Sequence, residues 1–206
     1  MTEHQQFVFV VDDDQPSRDS VVALLEPMGV IVRSFASAKE FLDSYSGERP
    51  GCVVSDLRMP GFSGIQMIER LRQLDCDISV VIITAFPDTR STVTAIKFGA
   101  ATVLEKPCNP QELWDTIVQA IAFDETNLRS KLDRENAGKL IEKLTAVEVE
   151  VLEQISAGAA NKIIAKRLCV SLRTVEGRRA SILSKLNVRS IAEAVVLWTT
   201  IRKASN

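Results

Sequence analysis

Cys52-Val53-Val54-Ser55-Asp56-Leu57-Arg58-Met59-Pro60-Gly61 is an apolar, β-prone run that ends on a carboxylate and breaks at Pro-Gly. It reads as a buried strand whose aspartate lies at the carboxyl end, where open α/β sheets place their ligands. The pattern repeats on both sides. Residues 7–11 (FVFVV) form a continuous apolar strand followed at once by Asp12, Asp13 and Asp14. Ser17 to Met28 has a helical period and stops at Gly29. Residues 30–35 read as a second strand, and Ser37 as the cap of a helix through Phe41 and Leu42. After the Asp56 strand come a helix from Ser63 to Leu74, a strand over 79–84, a helix from Thr89 to Phe98 ended by Gly99, and a short strand over 102–105. Lys106-Pro107 turns the chain, and Asn109 caps a helix through Leu113, Ile117 and Ile121. Strands alternating with helices at this spacing predict a parallel sheet covered on both faces.

The residues at the strand ends carry the chemistry. Asp12 and Asp13 follow strand one, Asp56 ends strand three, Thr84 ends strand four and Lys106 follows strand five. Carboxylates gathered in one crevice repel each other and attract a hard cation. Mg²⁺ suits them, because it takes one or two carboxylates and fills its other positions with water and phosphate oxygens. The Lys106 ammonium balances charge and reaches an acyl phosphate oxygen, while the Thr84 hydroxyl donates to another. Asp56 is then a nucleophile towards a phosphoryl group, forming a mixed anhydride. Any one of these residues alone would more often be a helix cap, and Asp14 reads as one. Five such residues at four strand ends favour the chemical reading.

Composition places limits on the rest. The chain has 206 residues, 46% hydrophobic and 25% charged, enough for one large domain or two small ones. No apolar run reaches the roughly 18 residues of a membrane span, and the N-terminus lacks a secretory pattern. A cytoplasmic protein without a membrane partner is expected. Cys52, Cys76, Cys108 and Cys169 are scattered and His4 is the only histidine, so reduced thiols are expected rather than a zinc site or disulfides. The net charge of −2 hides an asymmetry: residues 1–124 sum to −8 and residues 125–206 to +6. Only the second part is expected to meet a polyanion.

Residues 124–143 are charged, with Leu128, Leu132, Leu140 and Ile141 at helical spacing, and read as a helical linker in which Gly138 marks a kink or break. Residues 144–206 hold four helical patterns. Thr145 caps the first, Asn161 opens the second, Cys169-Val170-Ser171 is a tight connection, Thr174 to Leu186 is the third and Ser190 to Lys203 the fourth. Two short helices across a brief turn, the second rich in base, signal a helix-turn-helix. At about 100° per residue, Val175, Ile182 and Leu186 of the third helix face inward, and Arg173, Glu176, Gly177, Ala180 and Ser184 face away. Arg178 and Arg179 border the core; for Arg179 an ion pair with Glu148 competes with a role at a ligand. Lys162, Lys166, Thr174 and Lys185 are placed to meet phosphates, with Asn161 beside them.

Val11-Asp12-Asp13-Asp14, Asp56-Leu57-Arg58-Met59-Pro60-Gly61 with Gly64, Thr84-Ala85 and Lys106-Pro107 resemble the motifs of a response-regulator receiver domain, over residues 5–123. The resemblance implies a flavodoxin-like five-stranded sheet of order 2-1-3-4-5 and phosphorylation at Asp56. It also implies Mg²⁺ held by Asp13, Asp56 and the Arg58 backbone carbonyl, with Asp12 helping, often through water. One position departs: Val103 stands where the family usually has Tyr or Phe. Valine is short and stiff at χ1, so it cannot signal by a large ring rotation, and the relay shifts to the loop Phe86-Pro87-Asp88 after Thr84.

Leu144-Thr145 with Glu148, Glu150, Val151 and Leu152, then Gly158 with Asn161, Lys162, Ile164 and Ala165, then Arg173-Thr174-Val175-Glu176, then Lys185-Leu186 with Val188-Arg189-Ser190, are similar to a LuxR-type DNA-binding domain. In that family the positions of Glu176, Gly177 and Ala180 approach base edges, and Arg178 stands where histidine is common. The chain as a whole resembles the NarL/FixJ-family response regulators, closest to the FixJ branch. That likeness implies a two-component transcription regulator rather than an enzyme, apart from self-phosphorylation and dephosphorylation at Asp56. Implied partners are a cognate sensor histidine kinase, double-stranded promoter DNA, RNA polymerase and a second copy on phosphorylation, through the face of the fourth helix, fifth strand and fifth helix. The alternative is a DNA-binding regulator that works unphosphorylated and uses its receiver for dimerisation. A hydrolase passing through an aspartyl phosphate lacks a substrate pocket and a separate acid or base.

Overall fold

The computed structural model describes residues 5–202; His4 and Lys203, named above, lie outside them. The first elements are β1 (Phe7–Val11), α1 (Gln15–Leu25), β2 (Ile31–Phe35), α2 (Ala38–Ser44) and β3 (Gly51–Asp56). They continue with α3 (Gly64–Gln73), β4 (Ser79–Thr84), α4 (Thr89–Lys97), β5 (Thr102–Glu105) and α5 (Pro110–Ile141). Four helices follow: α6 (Ala146–Ser156), α7 (Asn161–Arg167), α8 (Leu172–Leu186) and α9 (Ile191–Arg202). The chain divides into two compact units, one running to Leu128 and the other starting at Arg129.

In the first unit the five strands form one parallel sheet in the order β2-β1-β3-β4-β5. Alternate strand residues supply two cores, as a period of two requires. Val8, Val10, Cys52, Val54, Val81 and Ile83 face α1 and α5, meeting Leu25, Leu113, Ile117 and Ile121. Phe9, Val11, Val53, Val80 and Ile82 face the other helices and meet Phe41, Met67, Ile68, Leu71 and Ala95. Each such fully buried aliphatic or aromatic side chain contributes roughly 1.5–3 kcal/mol. The register pairs Val11 with Ser55, Asp56 with Ile83 and Thr84 with Glu105. The chain therefore delivers Asp12, Asp56, Thr84 and Lys106 at nearly one level along the carboxyl edge.

Local signals explain the ends. Asp14 Oδ2 accepts from Ser17 N and caps α1, as expected. The helix expected over Ser17 to Met28 starts two residues earlier and ends at Leu25, because Pro27 turns Glu26–Met28 into a separate 3-10 turn. Ser63 and Gln66 form a capping box at α3. The next residue must be glycine: a Cβ on Gly64 would lie 2.5 Å from the Asp56 carbonyl oxygen, so the helix start seats directly on the end of β3.

The expected break at Gly138 does not occur, and α5 runs unbroken from Pro110 to Ile141. One helix-interior glycine costs about 1 kcal/mol, too little to interrupt a long helix of good formers such as Lys, Leu, Arg and Glu. A Cβ there would meet nothing within 4 Å, so packing does not demand the glycine either.

In the second unit, α6 to α9 enclose Leu144, Val151, Leu152, Ile164, Ala165, Val175, Ile182, Leu186 and Ala194. Thr145 caps α6 in a capping box with Glu148. Ser171 caps α8 by accepting from Thr174 N, which starts that helix at Leu172 rather than at Thr174. Among the described residues no helix is long and apolar enough to cross a membrane. The four cysteines are free thiols.

Candidate functional site

The acids at the sheet's carboxyl edge converge on one cation. Lys106 Nζ lies 2.6 Å from Asp12 Oδ2 and 2.8 Å from Asp56 Oδ1. Burial alone would push the Lys106 ammonium down, but hydrogen bonds and charge from Asp12 and Asp56 outweigh it and hold the group above the ordinary lysine value. Asp12 is buried and nearly saturated: Oδ1 accepts from Asp14 N at 2.9 Å, and Oδ2 accepts from Ser17 Oγ at 2.8 Å as well as from Lys106. Asp56 is less occupied. Among the described residues its Oδ2 accepts only the Arg58 backbone N–H, at 2.6 Å, besides the Lys106 contact on Oδ1.

These residues line a cleft of about 380 Å³ together with Asp13, Arg58, Thr84, Ala85 and Phe86. Asp13 and Arg58 are exposed at its mouth, while Thr84 is buried and its Oγ1 accepts from Phe86 N at 3.3 Å. The five side chains singled out for phosphoryl and metal chemistry, Asp12, Asp13, Asp56, Thr84 and Lys106, thus line one cleft together with Arg58, whose backbone carbonyl was the sixth group. Among the described residues no group of three or more His, Cys, Asp or Glu is placed to hold a metal ion by itself. The donors present are hard oxygens beside an open cleft. They fit a cation that takes few protein carboxylates and completes its shell with water and phosphate, as Mg²⁺ does.

Val103 is half-buried and packs on the core beneath α2, α3 and α4. Residues the sequence did not single out also act here. Ser17 and Arg18 secure Asp12, the latter by donating to its carbonyl at 2.6 Å. The spacing that puts Ser17 one turn into α1, facing back to β1, was the available signal. Asp88 caps α4 by accepting from Ser91 N at 2.8 Å.

In the second unit, Val175, Ile182 and Leu186 of α8 are buried as the helical period requires. Arg173, Thr174, Glu176, Gly177, Ala180 and Ser184 are exposed, and so are Lys162 and Lys166 on α7. Arg178 is half-buried. The considered ion pair between Arg179 and Glu148 is not formed. Arg179 Nη1 donates instead to Asn161 Oδ1 at 2.6 Å, tying α8 to α7. Glu148 takes Lys185 Nζ at 2.6 Å, Ser181 Oγ at 2.6 Å, and the N–H and hydroxyl of Thr145. Burial alone would raise the Glu148 carboxyl, but these donors bring it down to about 2. Lys185 therefore has an internal partner, as do Asn161 and Arg179, while Lys162, Lys166 and Arg167 are exposed cations of α7.

Comparison with known proteins agrees with this division. Residues 8–118 match the family model of the response regulator receiver domain, and residues 142–198 that of bacterial regulatory proteins of the luxR family. The chain is 36% identical to the transcriptional regulatory protein FixJ of Bradyrhizobium diazoefficiens over 92% of its own length and 93% of the relative's. It is 36% identical to the transcriptional regulatory protein TdiR of Thauera aromatica over 90% of this chain and 82% of that one. The solved structure of the response regulator StyR superposes with a TM-score of 0.80 at 38% identity, covering 95% of this chain and 98% of that one.

Proposed function

This chain belongs to the DNA-binding two-component response regulators, and from that premise we propose that Asp56 is its phosphoacceptor and α8 its DNA-reading helix. The observation that carries the first assignment is the contrast in occupancy. Asp56 ends β3 at an open cleft with one donor on each oxygen, while its neighbour Asp12 is held by three.

In the proposed reaction an Asp56 oxygen attacks the phosphorus of a phosphohistidine on a sensor kinase, or of acetyl phosphate. The new O–P bond forms as the bond to the leaving group breaks, and the leaving group keeps that electron pair. Lys106, fully charged at neutral pH, moves from bridging Asp12 and Asp56 to meet the charge that develops on the phosphoryl oxygens. The Thr84 Oγ1 accepts from Phe86 N, which leaves the hydroxyl proton free to donate to another phosphoryl oxygen. Asp12, Asp13, Asp56 and the Arg58 carbonyl would hold Mg²⁺, which when bound supplies further neutralisation of phosphoryl charge.

On the DNA side, Glu176, Gly177 and Ala180 face base edges, and Glu176 is suited to accept from a cytosine amine. Lys162, Lys166, Arg173, Thr174 and Arg178 contact phosphates and set the register. Lys185 and Asn161 serve that surface mainly by holding its helices. Receiver function is assigned to residues 5–123 and DNA binding to 144–206, with 124–143 as helical linker. Phosphorylation drives homodimerisation, pairing two DNA half-sites in the cytoplasm, where RNA polymerase is the further partner. Mg²⁺-dependent uptake of phosphate from acetyl phosphate tests the assignment: wild-type protein takes up one phosphoryl group and Asp56→Asn none. Equal uptake by both proteins overturns it.

A further inference from the structure

Arg58 touches two loops at once. Its backbone N–H donates to Asp56 Oδ2, while its guanidinium lies over the Phe86 ring at 5.9 Å and pairs with Asp88 Oδ2 at 3.3 Å. Phe86 is 69% exposed, so no core holds that ring in place. The same loop is tied at two further points: Phe86 N donates to Thr84 Oγ1, and Asp88 caps α4 through Ser91 N. The segment between β4 and α4 is thus fastened to the acid cleft at one end, to α4 at the other, and to a single arginine side chain across its middle.

We propose that Arg58, Phe86 and Asp88 form a latch that holds this loop in the state without phosphate, and that a phosphoryl group on Asp56 releases it by competing for the Arg58 guanidinium. The inference rests on Asp56 being the phosphoacceptor. A phosphoryl group carries nearly two negative charges and three strong acceptor oxygens, against one exposed carboxylate on Asp88. A guanidinium matches phosphate geometry with paired donors, so the anion two residues away outcompetes Asp88. Release unstacks Phe86 and frees the chain leading into α4. The latch also explains how a receiver with Val103 in the usual aromatic position relays its state: the moving ring is Phe86 on the loop rather than a side chain on β5.

The test uses the full-length protein, beryllofluoride as the phosphoryl mimic, and a duplex selected from random DNA by the beryllofluoride-treated wild type. Phe86→Ala removes the stacking partner. Asp88→Asn removes the ion pair and keeps a residue that caps equally well, so α4 is preserved. Each variant is expected to raise the DNA affinity of the untreated protein by about five-fold, the low end of ordinary coupling between sites. The treated affinities should stay within about two-fold of wild type, because the latch is already open. Amide exchange at Phe86 should quicken in the untreated variants to the rate of treated wild type. Wild type responding to beryllofluoride while both variants match it in untreated affinity and Phe86 exchange overturns the latch alone. Wild type without any response overturns the phosphoacceptor assignment and the latch with it.

Discussion

One sheet carries the same ionic arrangement at both of its edges. At the carboxyl edge Lys106 lies between Asp12 and Asp56, and at the amino edge Arg49 lies between Asp124 and Asp77. Both cations are partly buried, which alone would lower them, and both are held above their ordinary values by the paired acids. Their anions differ. Asp124 is fully buried and accepts four bonds: two from Arg49, one from Gly51 N at the start of β3 and one from Ser79 N at the start of β4. No lone pair is left for chemistry, and α5 is pinned to the sheet. Asp56 accepts two bonds and faces a cleft. Saturation makes a carboxylate structural; partial occupancy beside an open cleft is what the proposed phosphorylation of Asp56 requires.

Substitutions can break that contrast. Asp56→Asn should abolish phosphate uptake from acetyl phosphate while shifting unfolding free energy by no more than about 1 kcal/mol, since Lys106 keeps Asp12. Uptake assays and denaturant melts on the same preparation read both effects. Asp124→Asn should do the reverse, costing about 3–5 kcal/mol by leaving Arg49 buried against a weakened partner. Phosphate uptake under conditions where that variant is folded should match wild type. If Asp124→Asn instead slowed phosphorylation with little loss of stability, the division between the two edges would be wrong.

Glu148 sharpens the comparison as a third carboxylate, saturated like Asp124 but in the other unit. Its folded value of about 2 lies below the ordinary 4.5, so the stability it contributes is fully present above about pH 4.5 and lost as pH falls towards 2. Glu148→Gln should cost roughly 1–3 kcal/mol at neutral pH and flatten this acid limb in melts of the full chain. The smallest effect concerns Lys106. Its raised value means its contribution is complete below about pH 10.5 and fades as pH rises through the folded value. Lys106→Met should therefore remove a shallow alkaline loss of stability, visible in thermal melts above about pH 10.5 as a change of about 1 kcal/mol or less.

Much of the carboxyl edge was legible because each of its residues directly follows an apolar run. Counting to the end of a strand locates Asp12, Asp56, Thr84 and Lys106, and parallel pairing does the rest. The amino edge was not legible. Arg49, Asp77 and Asp124 come from three distant stretches, and nothing local marks them as partners. The one trace was Asp124 continuing the buried stripe of Ile117, Ala120 and Ile121 on α5, a carboxylate where an apolar residue would be expected. In α8 the helical period chose the inward face correctly, but period says nothing of which neighbour a flanking cation meets. Lys185 rather than Arg179 reached Glu148, and Arg179 turned to Asn161.

The alternation of strands and helices, the two covered faces, the edge that carries Asp56 and the inward stripe of α8 follow from hydrophobic period, which acts over a few residues and is written in the chain; the strand order was implied by the receiver resemblance instead. Tertiary structure alone decided the saturation of Asp124 and Glu148 and the guanidinium of Arg58 lying over Phe86. Those outcomes depend on which long polar side chains find donors and acceptors across elements. That competition is settled by distances that exist only once the sheet and helices have packed.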